Sequence, residues 1–347
     1  MRFVLGNVSA CQFYRQGDTE PRALLTVERQ RHGDFVDVPP SDCQKAAVAV
    51  KTLAWFRHAA KMTPVFRWIG KTDDDSLVHL PKLQADMLAM LAVARKHNRK
   101  PVRAYYGTLR WRLWLPPRAL RNNPKMLKLC SSKSIGCACG TQSDAWLPDS
   151  KYTRSLMARD AQTDCVGAIG PFPYADGSLN VLSSRLAHEV LTRGGHVDDF
   201  AASKTWTHED VGIAYLLLRQ TCALGLPTMY FTLQNWIHNL RWYDARDTYD
   251  QVLKEHALSA HRVKNAMHAE LVGDLFATHN RSRDGFACVP CANWGWNASA
   301  AVSTHQRLTA PAELLCCQKV PFANGMKDKR FQKMKQMKVR FAESRRR

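Results

Sequence analysis

The sequence predicts an α/β fold, and three observations carry that prediction. Short β-branched or aromatic runs alternate with longer segments of helical periodicity. The 347 residues are 45% hydrophobic and 23% charged, enough to bury a sizeable core. Where one apolar run ends, three aspartates stand side by side in a chain whose net charge is +20. An acidic cluster at the carboxyl end of a strand is a feature of ligand-binding α/β sheets.

The elements follow in order. Residues 2–6 (RFVLG) read as a short buried strand. Residues 41–62 carry apolar residues at helical spacing after a Ser41/Asp42 cap, predicting a helix. Residues 63–72 (TPVFRWIGKT) read as a strand bounded by Pro and Gly. Residues 80–97 predict a second helix with Pro81 in its first turn, and 101–110 (PVRAYYGTLR) a strand. Residues 111–165, rich in Pro, Lys, Cys and Ser, read as long loops. Helices are predicted over 178–195 and 208–225, each ended by glycine, and another over 262–279. The predicted organisation is one domain over 1–280, a Cys/Trp-containing extension over 281–326, and a disordered basic tail over 327–347. That tail holds ten Lys/Arg against two Asp/Glu, a net +8.

The pI near 9.7 predicts attraction to polyanions. A nucleic-acid-binding protein is not expected: no basic module interleaved with aromatics is present, and the tail explains much of the charge. No apolar run approaches the roughly 18 residues of a membrane span, and the first residues are too short an apolar stretch for a signal peptide. Eleven cysteines and the sequons at Asn7, Asn280 and Asn297 point instead to a lumenal protein. Only Cys288 and Cys291 have zinc-knuckle spacing, so disulfides or buried thiols are favoured over zinc.

The triplet lies in RWIGKTDDDSLVHLPKL, residues 67–83. If the strand continues, Asp73 and Asp75 share one face and Asp74 the other. Two carboxylates on one face repel unless a cation lies between them, and carboxylate oxygens suit hard ions such as Mg²⁺ or Mn²⁺. The triplet thus reads as a metal–nucleotide site, or else as a solvated acidic turn. Glu209 and Asp210 open a predicted helix, where a catalytic carboxylate and an ordinary acidic first turn look alike.

Four stretches, in order, resemble the β-1,3-galactosyltransferase family, glycosyltransferase family 31, with wording closest to its plant and algal branch. The family's K-x-D-D-D-x-[FLV]-V is matched by Lys71, Asp73, Asp74, Asp75, Leu77 and Val78. Its P-x-Y-x-x-G-x-x-Y-V-L-S is matched by Tyr174, Gly177, Val181, Leu182 and Ser183, with Pro173 directly before the tyrosine. Its E-D-V is matched by Glu209, Asp210 and Val211, and its late H-x-V-K by His261, Val263 and Lys264. Upstream, Glu28, Gly33, Asp34, Lys51 and Thr52 match two weaker segments. The similarity runs from about residue 2 to 280. Asn180 stands where the family has an aromatic, and Ser76 where it often has Val.

The resemblance implies a GT-A fold, a mixed central sheet flanked by helices with one metal-dependent site. It implies inverting transfer of a hexose, galactose first and N-acetylglucosamine as the alternative, from a UDP-sugar to a glycan or glycoprotein hydroxyl in a β-1,3 linkage. Asp75 then binds Mn²⁺ (or Mg²⁺), Asp73 holds the ribose or a metal-bound water, and His261 completes the metal shell. Lys71, Asp74 and Asp34 join Asp73 on the donor side. Asp210 is the general base, and Tyr174, Gly177, Glu209 and Trp206 shape the acceptor pocket. The family's opening uracil-binding strand, its R-x-x-[IV]-R-x-T-W helix and its Golgi membrane anchor have no counterpart in this sequence. The expectation is an incomplete transferase domain, or a non-catalytic relative that has lost part of its nucleotide site.

Overall fold

The computed structural model describes residues 3–7, 20–41, 48–62, 66–115, 137–139, 169–192, 209–233, 237–239, 258–261, 263, 266–278, 284–290 and 314–321. In chain order the elements are β1 (Phe3–Asn7), α1 (Glu20–His32), β2 (Phe35–Ser41), α2 (Val48–Lys61), β3 (Trp68–Lys71), β4 (Ser76–Val78), α3 (Leu80–Lys96), β5 (Ala104–Leu115) and β6 (Cys137–Cys139). Then come β7 (Ile169–Ser183), α4 (Ser184–Leu191), α5 (Glu209–Ala223), β8 (Met229–Thr232), β9 (Ile237–Asn239), β10 (Ser259–His261), α6 (Ala266–Thr278), β11 (Asp284–Pro290) and β12 (Leu315–Pro321). The class is α/β, as predicted.

A 7-stranded sheet of order β11-β12-β8-β5-β7-β3, with β6 beside β5, organises the chain. Its middle is parallel, β12 with β8 and β8 with β5. The flanking pairs β11–β12, β5–β7 and β7–β3 are antiparallel. The sheet is buried on both faces, and neighbouring residues on a strand enter different cores. Tyr105, Leu182, Tyr230 and Cys316 pack with Leu53 and Phe56 of α2, Leu186 and Val190 of α4, and Ile213 and Leu217 of α5. Their neighbours Tyr106, Val181, Phe231 and Cys317 pack with Met90 and Ala94 of α3 and with Phe286. The result is three layers, helix–sheet–helix. On α2 the buried Ala49, Leu53, Phe56 and Ala60 recur at steps of four, three and four, one stripe of a helix facing the sheet.

Two small sheets complete the frame. β1 and β2 pair in parallel. β10 lies between β4, antiparallel, and β9, parallel. His79 caps α3 by accepting the Lys82 N–H on Nδ1, with Pro81 in the first turn as predicted. Its Nε2 lies 3.0 Å from the Phe276 carbonyl on α6, so this nitrogen carries the proton in the neutral ring. Burial first, then the Lys82 charge, lowers the His79 pKa and favours that neutral form.

Several predictions change. The predicted helix over 178–195 is a strand through Ser183 and a helix only from Ser184. Residues 180–182 pair with both β3 and β5, and a strand buried on both faces loses the alternation that would mark it. The Ser183 hydroxyl then accepts the Leu186 N–H and caps α4. Ser41, predicted to cap the first helix, is the last residue of β2, opposite Asn7. The loop predicted from residue 111 holds the end of β5 and all of β6, paired at Leu113 and Cys139.

The sheet also runs on past residue 281, where the predicted extension begins. Through β11 and β12, that segment supplies two strands of the sheet. Cys288 and Cys317 oppose one another in register and form a disulfide, which takes Cys288 out of the zinc reading. Lys319 Nζ reaches Asp86 of α3 at 2.8 Å, and the Tyr106 hydroxyl donates to the same carboxylate at 2.5 Å. The Lys319 and Asp86 side chains are 1% and 2% exposed. Removing one member of such a pair leaves a buried, uncompensated charge. Lys319→Met is therefore expected to destabilise the fold by about 3–5 kcal/mol in chemical denaturation. Pairing it with Asp86→Asn should recover part of that loss. The basic tail lies outside the described residues.

Candidate functional site

Ile69 is buried in the core, while Lys71, two residues on, reaches the mouth of the sheet. The chain then turns instead of continuing as a strand. The Ser76 N–H donates to the Asp73 carbonyl at 3.1 Å, closing a turn over residues 73–76. Asp73 and Asp75 converge as the sequence suggested, but a turn brings them together, not strand alternation. Asp74 points outward and is exposed. β4 then pairs with β10 so that His261 stands opposite Ser76, and the Val263 N–H donates to the Asp75 carbonyl at 2.8 Å. A residue 186 positions later in the sequence is thereby set against the aspartates.

His261 Nε2 lies 3.1 Å from Asp75 Oδ1 and 3.5 Å from Asp73 Oδ2. One donor atom from each of the three residues falls within 4.8 Å of the others. Two carboxylates and an imidazole, all partly open to solvent, form a suitable donor set for Mn²⁺ or Mg²⁺. Gly177 of β7 sits against this cluster. A Cβ there would lie 3.0 Å and 3.4 Å from the two Asp73 carboxylate oxygens. The Thr72 hydroxyl ties the same stretch down by donating to the Ser178 carbonyl at 2.8 Å. Gly177→Ala should displace the Asp73 carboxylate and weaken Mn²⁺ binding by about 10-fold. Titration of free Mn²⁺ by its paramagnetic resonance signal checks this.

Lys71 is the next link. Its Nζ lies 3.0 Å from Asp73 Oδ1 and also pairs with Glu209 Oε1. The Thr52 hydroxyl of α2 donates to the other Glu209 oxygen at 3.3 Å. Asp210 follows in the first turn of α5, with Oδ1 accepting the Val211 N–H at 3.0 Å. Below it, Tyr105 is fully buried. Its phenolic oxygen accepts the Ala175 N–H at 2.8 Å and the Asn180 amide at 3.4 Å. Burial, with the Asp210 charge adding to it, raises the Tyr105 pKa and keeps the phenol protonated. Asn180, which stands in place of an aromatic, thus has a buried polar partner.

The remaining candidates separate. Tyr174 is 1% exposed and packs in the core with α2, α4 and α5. Asp34 stands at the head of β2, where Gly33, at φ +60, makes the turn out of α1. Its Oδ1 is buried and has no hydrogen-bond partner among the described residues. Trp206 and Lys264 lie outside the described residues. Sequence reading missed Tyr105, and the link from Thr52 through Glu209 to Lys71, because both depend on contacts across the fold.

Among the described residues no helix is long and apolar enough to cross a membrane. No curated protein matches the chain. Residues 1–106 match the family model described as Galactosyltransferase, which supports a glycosyltransferase activity. That segment holds Lys71 and all three aspartates, and the frame around them is the mixed α/β architecture compatible with a GT-A domain. The likeness to the galactosyltransferase family read from the sequence is therefore shown over residues 1–106.

Proposed function

We propose that this protein is an inverting hexosyltransferase that moves galactose from a UDP-sugar to a glycan or glycoprotein hydroxyl, forming a β-1,3 linkage. The observation that carries the reading is the convergence of Asp73, Asp75 and His261, two of them within the segment that matches galactosyltransferases. Asp75 and His261 would hold the cation, and Asp73 would hold the ribose or a water beside it. A bound Mn²⁺ or Mg²⁺ supplies positive charge to the diphosphate leaving group.

The other steps belong to the chain's own residues. Asp210 takes the proton of the acceptor hydroxyl as that oxygen attacks the anomeric carbon. One carboxylate suffices for a single in-line displacement with inversion. The Asp34 oxygen, buried and unpartnered, supports a polar contact on the donor side. Gly177 leaves room for the Asp73 carboxylate. The Cys288–Cys317 disulfide supports residence in an oxidising compartment, the Golgi lumen in this reading. No nucleic-acid partner is expected.

Calorimetric titration with UDP, with and without Mn²⁺, tests the reading. Binding that requires Mn²⁺ supports it, and a panel of UDP-galactose and UDP-N-acetylglucosamine then assigns the donor. Absence of UDP binding in the presence of Mn²⁺ overturns it.

A further inference from the structure

We propose that Lys71 and Glu209 are positioning residues. Their ion pair straps the first turn of α5, and with it Asp210, to the metal-side carboxylate Asp73. The importance of those two carboxylates rests on the transferase reading above, but the strap itself is a feature of the fold. Sequence comparison pointed Lys71 at the donor and Glu209 at the acceptor. The geometry gives both side chains other work.

The Lys71 ammonium lies between two carboxylates, Asp73 and Glu209. The Lys71 and Glu209 side chains are each only 15% exposed, so solvent screens the pair weakly. The second Glu209 oxygen is held by Thr52. Four elements are joined in series: α2 through Thr52, α5 through Glu209, β3 through Lys71, and the aspartate turn through Asp73. Without Lys71, Asp73 and Glu209 would repel across the gap, and the start of α5 would lose its tie to β3.

The sharing of one cation has a second effect. Glu209 draws the Lys71 charge away from Asp73, which leaves Asp73 more of its negative charge for a cation. Neutralising Glu209 would leave Lys71 wholly to Asp73, and the ammonium would then compete with a divalent ion. Glu209 thus supports cation binding without being a ligand.

The test uses Lys71→Met, Lys71→Arg, Glu209→Gln and the Lys71→Met/Glu209→Gln double variant of the full chain. Amide hydrogen exchange is read over residues 213–216, whose N–H groups close the first turn of α5. Exchange there should rise about 10-fold in Lys71→Met and Glu209→Gln. It should return towards wild type in Lys71→Arg, while α4 exchanges unchanged in all variants. Free Mn²⁺ measured by paramagnetic resonance should show about 10-fold weaker binding in Glu209→Gln and recovery in the double variant. Unchanged exchange in α5 overturns the strap whatever the metal result. Faster exchange with unchanged Mn²⁺ affinity in Glu209→Gln reduces the pair to a structural contact and overturns the positioning role. A wild-type protein that binds no Mn²⁺ overturns the transferase reading and the charge-sharing effect together, and the exchange result then decides the strap alone.

Discussion

Asp75→Ala is expected to abolish Mn²⁺-dependent UDP binding, a loss of more than about 100-fold in affinity. Asp75 offers the carboxylate oxygen closest to His261, at 3.1 Å. Removing it takes away the one carboxylate assigned to the cation directly and leaves His261 beside an Asp73 carboxylate already shared with Lys71. The fold should persist. Asp75 joins the strand frame through its backbone carbonyl, which accepts the Val263 N–H, and that bond survives the substitution. Thermal unfolding without metal should move little, since the change also removes one of two facing negative charges. Calorimetry on both proteins checks the prediction, and UDP affinity within about 3-fold of wild type would remove Asp75 from the cation shell.

Asp210→Asn should leave UDP and Mn²⁺ binding near wild type while lowering the transfer rate by about 10²–10⁴-fold, the range for loss of a general base. The amide keeps an oxygen able to accept the Val211 N–H, so the first turn of α5 stays capped. What it loses is the ability to take a proton. The effect should therefore fall on kcat, with the donor KM retained. Initial rates with a simple sugar acceptor, run beside UDP calorimetry, separate the two. A variant that retains more than about a tenth of the wild-type rate would place the base elsewhere.

Part of this site was legible in the sequence because its chemistry is local. The aspartate triplet, its place at the end of an apolar strand and the acidic first turn of α5 need no tertiary information. Helices α2, α3 and α5 were also legible, since each carries a long apolar stripe. The rest depends on pairing between distant segments. Nothing near His261 says that β10 will lie against β4, and only the order of family motifs linked it to the aspartates. Strand β7 was misread past residue 178 because burial on both faces erases the period of two. Tyr174 matched a motif attributed to the acceptor pocket, yet the same strand turns it into the core. The strands β11 and β12 were missed for a related reason: a short segment of Cys, Val and Phe gives no sign of which sheet it will join.

The way those last strands close the sheet bears on where the chain can be cut. A protein ended at residue 280 would keep every residue of the candidate site, yet it would lose the parallel partner of β8. The row of N–H and C=O groups along Met229–Thr232 would then face water, flanked by Tyr230 and Phe231 side chains that the intact fold buries. Asp86 would be left behind without Lys319. Such an open, aromatic strand is a template for pairing with other chains. The shortest piece that keeps the candidate site is thus one prone to aggregate, and solubility, more than any site residue, sets the C-terminal limit at β12.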